Sequence, residues 1–95
     1  MDEQRKIQDR QGRGVVLSTE RWQHIVSGHP EIGAFKEQIA LAVESPTAAL
    51  PGRGPGEEWL YLEEVGPSRW LKVVVAFDSD GGGRIITAFA RRRKP

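Results

Sequence analysis

The sequence predicts an α+β domain: two helices, then a three- to four-stranded antiparallel sheet, with the helices packed on one face. Three observations predict it. Apolar residues recur at helical spacing from Trp22 to Val43, the pattern shifts to strand-like runs from Trp59 to Ala90, and those runs are joined by Gly- and Pro-rich stretches of hairpin length.

Residues 1–14 are polar, alternate in charge and carry no apolar period, so they are expected to form a flexible arm. Val15, Val16 and Leu17 make a short apolar entry. Ser18 or Thr19 can cap a first helix over 19–28, in which Glu20 suits the positive end of the dipole and Trp22, Ile25 and Val26 form one apolar face. Gly28 is expected to end it in the left-handed conformation. Pro30 fits the first position of a second helix over 30–44, with Ile32, Phe35, Ile39, Ala42 and Val43 as its stripe and Ser45–Pro46 as its stop.

Pro51 to Gly56 reads as a loop, Trp59–Leu62 as a strand, Gly66–Pro67 as a turn and Trp70–Phe77 as a second strand. DSDGGG, Asp78–Gly83, is a turn, and Ile85–Ala90 is the partner strand. A short additional strand fits 47–50. If Phe77 lies opposite Arg84, then Val74 lies opposite Thr87 and Lys72 opposite Phe89. Leu71, Val73, Val75, Phe77, Ile86 and Ala88 then face the helices together with Leu60 and Leu62. Trp59, Tyr61, Lys72 and Thr87 occupy the open face.

Ninety-five residues support one core, expected over 15–91, with 92–95 as a basic tail. There is no cysteine and no dense His/Cys cluster, so neither disulfides nor structural zinc are expected, and the cytoplasm is the natural compartment. The longest apolar run, WLKVVVAF, contains Lys72, and the N-terminal stretch is too charged for a signal peptide, so no membrane association is expected. The net charge of +1 hides an asymmetry. Glu57, Glu58, Glu63 and Glu64 crowd one segment, whereas Arg84, Arg91, Arg92, Arg93 and Lys94 follow without an acid among them. Such a segment suits a polyanion, or serves as a solvated tail that aids solubility.

Both histidines lie in RWQHIVSGHPE, Arg21–Glu31. On a continuous helix a spacing of five turns side chains about 140° apart, so His24 and His29 do not form a metal-chelating i, i+4 pair, and neither a metal nor another cofactor is expected. A break at Gly28 would let both rings reach the sheet edge. Otherwise His24 is a surface residue or one satisfied by a carbonyl, and His29 a helix cap. Histidine also titrates where neutral-pH acid-base chemistry operates.

Three blocks, RWQHIVSGHPE, the ESP that closes the second helix, and the pair WLKVVVAF and RIITAFA, give the chain from about Val16 to Ala90 a resemblance to phage-associated nuclease domains. These are grouped with barnase, EndoU, the colicin tRNases and RelE. The resemblance implies two helices on a four-stranded antiparallel sheet. It also implies a toxin-like, metal-independent endoribonuclease that cleaves RNA by attack of the ribose 2′-hydroxyl on the adjacent phosphate.

Mapped onto these residues, His29 is the first acid-base candidate and His24 the second, while Thr87 hydrogen-bonds a phosphate oxygen. Lys72 and Arg84 or Arg91 supply positive charge, with Arg21 a further substrate contact, and Trp59, Tyr61 and Trp70 are candidates for stacking bases or are ordinary strand residues. Phe89 stands where the family carries Tyr, which removes a phenol. The implied partners are RNA, tRNA included, and an acidic antitoxin or immunity protein. The alternative is a non-catalytic RNA-binding or protein-partner-binding module on the same scaffold.

Overall fold

The computed structural model describes residues 4–65 and 69–95. Its elements are β1 (Arg5–Gln8), β2 (Gly14–Leu17), α1 (Thr19–Gly28), a 3-10 turn (Pro30–Ile32), α2 (Lys36–Glu44), β3 (Ala48–Pro51), β4 (Glu57–Glu63), β5 (Trp70–Phe77) and β6 (Gly83–Arg91). The turn expected at Gly66–Pro67 lies outside the described residues. No helix among the described residues is long and apolar enough to cross a membrane.

The class is α+β, but the sheet is larger than the sequence pattern indicates and is not purely antiparallel. Six strands run in the order β1-β2-β6-β5-β4-β3, and β2 pairs with β6 in parallel while every other pair is antiparallel. The stretch expected to be a polar arm supplies β1. Its sequence, RKIQ, offers one apolar side chain, Ile7, which is only 4 % exposed, and an edge strand with a single inward residue leaves no period to read.

What holds this hairpin is polar. The Asp9 carboxylate accepts from the backbone of Gln11 (2.9 Å) and Arg13 (2.8 Å) and from Arg13 Nε (2.9 Å). The Arg13 guanidinium spans Glu58 on β4 at 2.9 and 3.0 Å and lies 3.6 Å from the centre of the Phe77 ring. Arg5 pairs with Glu37 on α2.

The helices also differ from expectation in two respects. In α1 the Ser18 hydroxyl accepts from Arg21 N at 3.0 Å, the expected cap. Gly28 remains within the helix and His29 N still reaches Ile25 O at 2.8 Å, so the chain departs at His29 (φ −136°, ψ 71°) rather than through a left-handed glycine. The second helix is split. Pro30–Ile32 is a 3-10 turn that buries Ile32, Gly33 follows, Phe35 is non-helical (φ −118°, ψ 29°), and α2 begins at Lys36. Gly33 keeps right-handed helical backbone (φ −57°, ψ −27°), so the break between the two helical pieces falls at Phe35 and not at the glycine.

Ile25, Ile32, Ile39, Ala42 and Val43 pack against Val15, Leu17, Leu60, Leu62, Leu71, Val73, Val75, Ile85 and Ala88 in one core. The β5–β6 register matches expectation at Val74–Thr87 and Lys72–Phe89, then slips by one at a bulge, placing Val75 opposite Ile85 and Phe77 opposite Gly83. Ile85, 2 % exposed, therefore takes the core position expected for Ile86. The cause is Phe77: a Cβ on residue 83 would lie 2.6 Å from its ring and 3.2 Å from Val15, so glycine must sit opposite it and the bulge absorbs the extra residue.

Candidate nucleic-acid interface on the open face

Cross-strand partners share a face, so the β4, β5 and β6 registers lay out the surface away from the helices as three rows. These are Glu63–Trp70–Arg91, Tyr61–Lys72–Phe89 and Trp59–Val74–Thr87. Lys72 is at the centre and is 8 % exposed. Its ammonium lies 3.6 Å from the centre of the Trp59 ring and 5.7 Å from those of Tyr61 and Phe89. Among the described residues it forms no ion pair.

Burial pushes the Lys72 ammonium below the usual lysine range, and the charges of Arg91 and Arg53 push the same way, while Glu57 opposes them. Glu57 is itself engaged: it accepts from Arg53 N at 3.0 Å and from Trp59 Nε1 at 2.8 Å, which hold its carboxyl below the usual carboxylate range. The indole Trp59 is thus fixed by a carboxylate at its edge and presents its face to Lys72.

Arg91 extends the cationic surface. Its guanidinium lies 5.6 Å from the Tyr61 ring centre, and Nη1 reaches the Tyr61 hydroxyl at 3.4 Å. Tyr61 is 1 % exposed and lies perpendicular to the Trp70 ring, with ring centres 6.5 Å apart. Tyr61 therefore floors the site and has no open ring for a base. Trp59 is half-buried with Lys72 over its face; Trp70, also half-buried, lies at the end of the sheet. Thr87 is half-buried one row beyond Phe89.

The two histidines are placed differently. Because β2 pairs with β6 only at Gly83 and Arg84, the rest of that flank of β6 faces α1 and the 3-10 turn. His29 stacks there on Phe89, with ring centres 5.3 Å apart and planes at 30°. Its Nδ1 is 3.7 Å from Glu31 Oε2, and its side chain makes no capping bond to the turn that follows. Phe89 thus joins His29 to the surroundings of Lys72.

His24 is exposed and lines a separate groove with Ser18, Glu20 and Arg21. Since α1 continues through Gly28, the rings are not turned towards one another by a break at that residue. Arg21 donates to Ile86 O at 3.3 Å, satisfying a carbonyl at the bulge. Arg84 pairs with Asp78 at 3.0 Å at the opposite end of β6 from Arg91, so Arg91 is the arginine placed beside Lys72. Sequence reasoning missed the role of Phe89 as the ring under His29. The strand parity that put Phe89 opposite Lys72 was the available signal.

No protein-family model, no curated protein and no solved structure matches this chain.

Proposed function

We propose that this chain is a small, toxin-like, metal-independent endoribonuclease acting in the cytoplasm, with the open face of β4–β6 as its RNA site. The observation that carries this reading is Lys72: a side chain 8 % exposed whose ammonium has no carboxylate partner among the described residues, flanked by Arg91 and joined through Phe89 to His29. Fixed cations in a partly dehydrated site suit the charge that develops on a pentacoordinate phosphorane.

In the proposed reaction the ribose 2′-oxygen attacks the adjacent phosphorus and loses its proton to a base. The P–O5′ bond breaks and the leaving oxygen gains a proton, giving a 2′,3′-cyclic phosphate and a 5′-hydroxyl end. Of the two histidines, His29, stacked on the ring beside Lys72, is the first acid-base candidate and His24 the second, Thr87 hydrogen-bonds a non-bridging oxygen, and Lys72 with Arg91 offsets the negative charge. RNA, tRNA included, is the partner. An acidic antitoxin or immunity protein would bind the same cations. One observation favours the alternative of an RNA-binding or partner-binding module: only one histidine adjoins the open face, and Phe89 brings no hydroxyl to it.

Incubating purified protein with total RNA in EDTA tests the reading. Fragments with cyclic-phosphate ends are expected, formed as fast as without EDTA. Binding without cleavage leaves the module reading in its place.

A further inference from the structure

At the end of the open face, Trp70 lies in a cleft with Glu63 on β4 and with Arg69, Arg92 and Lys94 around it. Three cations and one carboxylate surround a half-buried indole set perpendicular to the ring of Tyr61, at the site's floor. Trp70 and Lys72 are two residues apart on one strand, so they share a face with a Cα separation of about 6.5 Å, of the order of one nucleotide step in an extended strand. Trp70 also pairs across the sheet with Arg91, which reaches Tyr61 beneath Lys72. The cleft and the Lys72 site are therefore successive positions on one cationic track.

We propose that the Trp70 cleft is a nucleotide subsite for single-stranded nucleic acid, in which an unpaired base stacks on the indole and Arg92 and Lys94 bind the phosphate next to the one held at Lys72. This deepens the ribonuclease reading and rests on it for the direction of the track, but not for binding itself. The ring supplies sequence-tolerant stacking and the flexible cations track the backbone. A duplex, with its bases stacked on one another, cannot use the indole in this way.

The test uses a labelled, uncleavable all-deoxy oligonucleotide, its affinity read by fluorescence anisotropy over a salt series. Trp70→Ala is expected to weaken binding about fivefold or more with little change in salt slope, while Trp70→Phe, which keeps a ring, retains most of the affinity. Arg92→Ala with Lys94→Ala is expected to flatten the slope by about 1.4, two contacts' worth for a single strand. Melting curves of each variant report whether it is folded, and Trp70→Phe stands in if Trp70→Ala is not, its smaller ring then expected to give a smaller loss of affinity. Undiminished binding by the folded Trp70 variant, equal affinity for a duplex, or no binding by the parent protein overturns the subsite. A parent protein that binds the strand with the expected losses in the variants but cuts no RNA keeps the subsite and loses the ribonuclease reading.

Discussion

Two regions of the molecule use buried or half-buried charge in opposite ways. Around Arg13 the charges satisfy one another: Asp9 accepts three hydrogen bonds from the β1–β2 connection, and the guanidinium grips Glu58 through both terminal nitrogens. Around Lys72 the protein surrounds a cation with aromatic rings and places another cation beside it. A closed network contributes to the fold and leaves no capacity for a ligand, whereas an ammonium without its counter-charge costs stability and leaves a place for an anion from outside.

The largest expected effect tests whether the second region does chemistry. His29→Ala should slow RNA cleavage on the order of a hundredfold or more while leaving affinity for an uncleavable strand nearly unchanged, the usual worth of a general acid or base. The rate of the parent should pass through a maximum with pH. An unaltered rate in the variant breaks the comparison, because the open face would then only bind.

Arg13→Ala should come next, lowering unfolding free energy by about 2 kcal/mol in a denaturant titration, since it removes the cation paired with Asp9, which keeps only its two backbone donors, and releases Glu58. RNA affinity should hold at temperatures where the variant is folded. A large loss of affinity would mean that the network serves the open face as well.

Lys72→Met should move stability the other way, by about 1 kcal/mol in favour of the folded state at neutral pH, and should weaken RNA binding. The pH signature is specific. Burial lowers the folded-state pKa of Lys72 below its unfolded value, so between the two the unfolded chain holds more protons and stability rises with pH. The cost is fully present below the lowered pKa and is lost as pH climbs from it to the unfolded value. Lys72→Met should abolish that alkaline gain in melting temperature; retention of the gain would assign it to another group.

The smallest effect sharpens the account of the histidines. Gly28 lies inside α1 with no positive φ, and a Cβ there would meet nothing within 4 Å. Gly28→Ala should therefore raise stability by about 0.5–1 kcal/mol and leave cleavage unchanged. Destabilisation would show that the helix does need to break there.

The β5–β6 face was legible in the sequence because strand parity is a local rule and WLKVVVAF and RIITAFA follow it. Lys72, Thr87 and Phe89 stand on the predicted face for that reason. The register near the turn was not, because Gly83 is dictated by the Phe77 ring across the strand, a pairwise fit with no periodic trace. Strand β1 escaped notice for a related cause: Asp9, Arg13 and Glu58 hold it, and their partnership spans 45 residues in sequence. The histidine geometry was misjudged because Gly28 signals a helix end in composition, yet the chain leaves the helix at His29. The lack of an ion pair at Lys72 goes with Glu57, on the same face, being held by Arg53 N and Trp59 Nε1, which no linear pattern expresses.

The parallel pairing of β2 with β6 has a kinetic consequence. Val15 and Val16 meet Gly83 and Arg84, so the sheet joins segments nearly 70 residues apart, and β6 is inserted between β2 and β5. β5 and β6 are joined over the short turn at Asp78–Gly82, so the β3–β6 meander pairs through neighbouring segments, whereas the β1–β2 hairpin meets β6 only across the long loop. Closing so long a loop costs more entropy, before its contacts reward it, than closing any hairpin of the sheet. Thr87, Phe89 and Arg91 arrive on the same strand that closes the sheet. The rows of the open face belong to the local β4–β6 meander, so that face can be laid out before β2 docks and completes the core.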